Sequence, residues 1–229
     1  MNSRQHVPFR LYLISDRKLA ARHGGLEAAA EAALSAASAA AGPAAVALQL
    51  REKDLEAREL LEVARALRHV CSRFDAALIV NDRIDVAVAA GADGVHLPAN
   101  SFAVEDARAL FGAAGIVGVS THDAGEVAQA AMAGADFAVF GPVYDPLSKA
   151  AYGPARGAEG LGAAGRAAGA MPLFPLGGIT AGRVRELGET AALKGRGGLA
   201  GVAVIGAVFG AADPAAATRE LLDALASWR

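Results

Sequence analysis

The stretch "AVALQLREKDLEARELLEVARALRHVCSRF", residues 45–74, carries two periods in succession. In its first part Leu48 and Leu50 fall on one side of a strand, while Gln49, Arg51 and Lys53 fall on the other. From Asp54 onward apolar residues recur at helical spacing. A half-exposed strand would leave the three polar residues in water. Whether it does depends on what the rest of the chain builds around it.

The same pair of patterns repeats along the sequence. "RLYLIS" precedes "GLEAAAEAALSAASAA", "ALIVND" precedes "RIDVAVAAG", "GVHLP" precedes "AVEDARALFG", and "IVGVST" precedes "DAGEVAQAAMAG". "DFAVFGPV" is followed by a long loop and "GAEGLGAAGRAAGA", "PLFPLGGI" by "TAGRVRELGE", and "GLAGVAVIG" by "DPAAATRELLDALAS". Roughly eight strand–helix units in 229 residues predict an α/β fold, a single (β/α)8 TIM barrel over residues 1–229 with residues 1–9 as an N-terminal extension. A doubly wound open sheet fits less well, because no dinucleotide glycine fingerprint follows the first strand.

Composition narrows the function. Hydrophobic residues make up 54% and aromatics 5%, so Ala, Val, Leu and Ile must fill the interior, and 27 glycines supply turns. A net charge of −2 gives no basic footprint for nucleic acid and no polybasic strip for a membrane, which leaves small-molecule chemistry. Cys71 is the single cysteine and lies in a helical pattern, a small packing residue rather than a nucleophile. No apolar run long enough for a signal peptide follows "MNSRQHVPFR", so a cytoplasmic location is expected.

In a barrel neither face of a strand meets bulk water. Leu48 and Leu50 then pack against helices, and Gln49, Arg51 and Lys53 enter the lumen, with the two cations near the C-terminal end where barrel enzymes carry their chemistry. Two desolvated cations need an anion, either a ligand or a structural partner such as Glu52 or a neighbouring Asp. Asn81 and Asp82 end the third strand; Asp82 is a magnesium or diphosphate candidate, or the N-cap of the next helix. "GVHLP" puts His96 after the fourth strand and "GVSTHD" puts Ser120 and His122 after the fifth, where His122 suits proton transfer and Asp123 a helix cap. The loop "GPVYDPLSKAAYGPARG", residues 141–157, has the length of a lid and offers Ser148 and Lys149 to an anion. Glycine turns in "LGGIT" and "VIGAV" sit where barrels hold phosphate on bare amides. "GETAALKGRGGLAG", residues 188–201, reads as a flexible surface connection.

"LQLREK", "VNDRIDVAVAAGADGVHL", "GVSTH", "GADFAVFGPVY", the following Ser-Lys, "PLGGIT" and "GVAVIGAV" resemble the ordered motifs of the thiamine-phosphate synthase and TenI superfamily. The likeness runs from "LYLISD" to the last helix. It implies a transferase of thiamine biosynthesis that joins hydroxymethylpyrimidine diphosphate to thiazole phosphate and releases diphosphate through a pyrimidine carbocation. By the same resemblance Arg51, Lys53, Asn81 and Lys149 hold the diphosphate, with Ser148 in the same loop, and Asp82 binds Mg2+. Gln49 and Ser120 lie against the pyrimidine, and Gly178, Ile205 and Gly206 cradle the thiazole phosphate. A homodimer is compatible with it.

Three departures from the synthase pattern stand out. Ser101 in "HLPANSF" occupies the place of a second magnesium aspartate; Pro146, Leu147, Ser148 and Lys149 replace Thr-x-Thr-Lys; and Gly206 stands where serine is common. "LPANSF" is itself similar to TenI-type proteins, some of them metal-independent thiazole tautomerases whose histidine His122 matches. The retained set Arg51, Lys53, Asn81, Asp82 and Lys149 favours the transferase over that tautomerase and over a non-catalytic paralogue that binds thiazole phosphate.

Overall fold

The computed structural model describes residues 7–112, 114–145, 154–190 and 199–228. The chain runs β1 (Leu11–Ile14), α1 (Arg17–Ala20), α2 (Leu26–Ala41), β2 (Val46–Leu50), α3 (Ala57–Ser72), β3 (Ala77–Asn81), α4 (Ile84–Ala90) and β4 (Gly94–Leu97). It continues α5 (Val104–Phe111), β5 (Ile116–Thr121), α6 (Ala124–Ala133), β6 (Phe137–Phe140), α7 (Gly157–Ala168), β7 (Leu173–Pro175), α8 (Ala181–Glu189), β8 (Val202–Val204), α9 (Gly206–Phe209) and α10 (Pro214–Ala226). Each strand falls within an apolar run that predicted it.

The strands form one parallel sheet in the order β7-β6-β5-β4-β3-β2-β1-β8. A parallel bridge from Leu173 to Leu199 joins the two ends, so the sheet closes into the predicted barrel. Closure is tight at β8. A Cβ on Gly201 would lie 1.8 Å from the Arg10 carbonyl oxygen, so only glycine lets that strand come alongside β1.

Strand alternation sorts the interior into two cores. Leu11, Leu13, Leu48, Leu50, Leu78, Val80, Val95 and Val117 face outward onto the helices. Tyr12, Ile14, Ala47, Ile79, Phe137, Val139, Phe174 and Ala203 fill the lumen. Helices meet the outer core through stripes such as Leu60, Ala64, Leu67 and Cys71 on α3, where burial pushes the Cys71 thiol up to about 12 and makes it inert.

The lumen floor is aromatic. Phe9 stacks on Tyr12 at 5.6 Å and meets Phe137 edge-on at 5.4 Å. Val7 and Phe9 are thus part of the barrel interior rather than of an extension outside it. Gly118 makes the space for Phe137, since a Cβ there would lie 2.2 Å from its Cζ. Among the described residues no helix is long and apolar enough to cross a membrane. Most of the segment read as a surface connection, 191–198, lies outside the described residues.

Candidate active site

Above the aromatic floor the lumen turns polar. Gln49 pairs in register with Ile14 and Ile79, and Asn81 with His96, so these side chains project from neighbouring strands at similar height. Ser120 shares the inward face of β5 with Gly118. Gln49, Asn81 and His96 are all buried. His96 and Ser120 lie within their strands rather than after them.

The Gln49 amide is the anomaly. It is 1% exposed, and among the described residues neither its Oε1 nor its Nε2 has a hydrogen-bond partner, although the Tyr12 phenol is near. Burying an unpaired primary amide costs on the order of a few kcal/mol. A primary amide carries two N–H donors on Nε2 and an acceptor at Oε1.

Arg51 is half-buried and follows directly on the last residue of β2. Its guanidinium is close enough to His96 to depress that imidazole, after burial, which is the larger cause. Together they hold His96 near about 3, so the ring is neutral. Among the described residues no carboxylate lies within ion-pair distance of Arg51 or Lys53. Glu52 does not serve them. Its Oε1 accepts from the Ser15 hydroxyl at 2.6 Å and the Arg17 amide at 3.0 Å, and its Oε2 pairs with Arg17 at 3.3 Å. Ser15 Oγ in turn accepts from the Arg51 amide at 2.8 Å, which pins the backbone that carries the cation. Asp54 is likewise taken by Arg17 and Lys18, whose hydrogen bonds drive its carboxyl far below the usual range.

Lys53 corrects the sequence reading. It is exposed, in a turn beyond the strand, and is not a desolvated lumen cation. The alternation that predicted an inward side chain stops where β2 stops, at Leu50.

Asp82 does not cap a helix. Arg83 holds the N-cap position of α4 without a side-chain bond, while Asp82 adopts a left-handed φ of 65° and its carboxylate accepts from the Ser101 hydroxyl. A carboxylate turned to a loop serine in this way is not available to the first amides of α4. Among the described residues no cluster of three or more His, Cys, Asp or Glu could enclose a metal unaided.

His122 donates from Nδ1 to the Gly141 carbonyl at 2.7 Å, and a carbonyl can only accept, so in the neutral ring the lone pair is on Nε2. Asp123 caps α6 as expected, accepting from the Glu126 amide, while Glu126 reaches back to the His122 amide. On the far side Gly177 and Gly178 have φ of 101° and 61°. A Cβ on Gly178 would lie 2.6 Å from Arg183 Nη1 and 2.8 Å from the Asp145 carbonyl oxygen, so glycine is required there twice over. Arg183 donates to the Gly178 carbonyl at 2.5 Å and lies over the Tyr144 ring at 4.4 Å. Ile205 and Gly206 open α9; a side chain on Gly206 would make only ordinary contact, with Leu19, so packing does not explain the missing serine. Ser148 and Lys149 lie outside the described residues.

Two groups were not singled out in the sequence. Tyr12 reaches His96 Nδ1 from below, and Ser15 with Arg17 clamps the Arg51 loop. The alternation of "LYLI" would have placed Tyr12 in the lumen; the Ser15–Glu52 bond spans 37 residues and has no local signal. An open depression of about 600 Å³ lies at the other end of the barrel, where Arg68 and Asp93 already pair with each other.

A closed parallel barrel that carries, at the C-terminal ends of its strands, a buried amide and a cation without partners among the described residues has the build of a barrel enzyme. The profile of the thiamine monophosphate synthase family matches residues 11–208, and the chain belongs to that family. A relative from Geobacter sulfurreducens is 45% identical over 94% of both chains. The thiamine-phosphate synthase of Methanoculleus marisnigri is 44% identical over 79% of this chain and 82% of its own. Thiamine phosphate pyrophosphorylase from Pyrococcus furiosus superposes with a TM-score of 0.79 at 31% identity, covering 97% of this chain and 98% of its own.

Proposed function

We propose that this chain is a thiamine-phosphate synthase, transferring the pyrimidinylmethyl group of hydroxymethylpyrimidine diphosphate to the ring nitrogen of thiazole phosphate and releasing diphosphate. The observation that carries the residue assignment is the buried Gln49 amide near Arg51, both without partners among the described residues. An aminopyrimidine edge, with a ring-nitrogen acceptor next to an amino donor, is the complement of that amide.

Arg51 and Asn81 then hold the leaving diphosphate. As the carbon–oxygen bond breaks, negative charge builds on that diphosphate, and a cation fixed in a water-poor mouth stabilises the charge more in the transition state than in the ground state. The Ser15–Glu52–Arg17 clamp supplies the fixing. Lys53, exposed at the rim, meets the anion from solvent. The Gly177–Gly178 turn at the start of α8 and the Ile205–Gly206 turn cradle the thiazole phosphate. No general base is needed for bond formation.

Asp82, with the Ser101 hydroxyl beside it, fits a magnesium ion whose remaining ligands are substrate phosphates and water. Magnesium bound there would neutralise charge on the diphosphate. Ser101→Asp is expected to tighten magnesium binding about tenfold, read by calorimetry with inorganic diphosphate present. An unchanged affinity would remove Asp82 from the metal site. Incubation of the protein with both substrates tests the function itself: thiamine phosphate and diphosphate should appear with magnesium, and no turnover with any divalent metal would reject the proposal.

A further inference from the structure

Tyr12, His96 and Ser120 form a hydrogen-bonded row from the aromatic floor to the mouth. Tyr12 Oη lies 3.4 Å from His96 Nδ1, and His96 Nε2 lies 2.9 Å from Ser120 Oγ. Distances alone leave the direction of the row open, since each of the three groups can donate or accept. Proton accounting closes it.

The Tyr12 side chain is fully buried, with Phe9, Phe137 and Phe174 around it. A phenol in such a place keeps its proton, and the proton needs an acceptor. Among the described residues the contact of the phenol that has hydrogen-bond geometry is the one with His96 Nδ1; the Gln49 amide lies beside the phenol without that geometry. Tyr12 therefore donates. Nδ1 must then carry the lone pair, and a neutral imidazole has its one hydrogen on Nε2. Nε2–H donates to Ser120 Oγ. The serine's own hydrogen cannot point back along a bond that already holds a hydrogen, and no other protein acceptor within reach of Ser120 is found among the described residues.

We propose that Tyr12, acting through the tautomer of His96, turns the Ser120 hydroxyl hydrogen toward the substrate, so that Ser120 is a hydrogen-bond donor in this enzyme and not a base. The group it meets is an acceptor, a ring nitrogen or an anionic oxygen. This rests on the synthase reading for the identity of the substrate, but not for the direction of the row. Tyr12 and His96 are positioning residues, since neither reaches the mouth except through Ser120. His122 offers a contrast: a backbone carbonyl fixes it in the opposite tautomer.

The full-length protein, with its imidazole nitrogens isotope-labelled, tests the direction without substrate. The His96 signals, assigned by their loss in His96→Gln, should show the Nε2–H tautomer. The Nδ1–H tautomer would overturn the proposal whatever the enzyme catalyses. Tyr12→Phe keeps the ring packing and removes the donor; it should shift His96 toward a mixture of tautomers and raise KM for the pyrimidine diphosphate about tenfold with kcat less affected. An unmoved tautomer would remove Tyr12 from the row. His96→Gln, whose amide can still donate to Ser120, should keep activity within about tenfold of the parent, and His96→Leu should lose about a hundredfold. Equal losses in the two would show that His96 only fills space. If the tautomer is as stated but the two-substrate assay gives no product, the synthase reading fails and the row stands.

Discussion

Arg51→Met is expected to lower kcat/KM by about two to three orders of magnitude, roughly 3–4 kcal/mol of transition-state stabilisation. Methionine keeps most of the aliphatic stem and removes the guanidinium, so the packing of the mouth changes little. Among the described residues no carboxylate pairs with Arg51, and none is left unpaired when its charge goes. The loss therefore measures what the cation does for the substrate. Most of it should fall on kcat, because the charge on a departing diphosphate is greatest in the transition state. Arg51→Lys should recover part of it, as a point charge does without the two-pronged geometry. Lys53→Met should cost less, since an exposed ammonium acts through water. A steady-state comparison of the three variants decides the matter: parental kcat/KM in Arg51→Met would end the assignment of the leaving-group site.

The barrel was legible because a strand buried on both faces must be apolar throughout, which marks each of the eight runs. "LQLRE" even declared its sides, outward Leu48 and Leu50 and inward Gln49. Alternation failed one step further, at Lys53, because it is a property of strands and the strand had ended. Partners of charged groups were not legible. Glu52 sits between Arg51 and Lys53 in sequence, yet it pairs with Arg17 and Ser15, since the loop after β1 lies beside it only in the closed barrel. Asp82 looked like a cap by its place before a helix; its positive φ, invisible in sequence, turned the carboxylate to Ser101 instead. Tyr12 was one apolar letter in an apolar run, and its role needs strands β1, β4 and β5 to meet around one lumen.

Acid should weaken the fold before any carboxylate titrates. His96 has a pKa of about 3 in the folded protein against 6.5 as an ordinary histidine, chiefly because burial penalises the cation and secondarily because Arg51 repels it. Between those values the unfolded chain binds a proton that the folded chain refuses, so stability falls as pH falls through that window. At about 1.4 kcal/mol per pH unit, the loss reaches roughly 2 kcal/mol by pH 5. Asp54 and Asp85, whose carboxyls are lowered by hydrogen bonds from arginine and, for Asp54, also from Lys18, contribute in the same direction but only below the carboxylate range. Urea denaturation of the parent between pH 7 and 5 should show this limb, and His96→Gln, which has nothing to protonate, should flatten it. Parallel slopes in parent and variant would mean that His96 is not the neutral, buried link on which the row from Tyr12 to Ser120 depends.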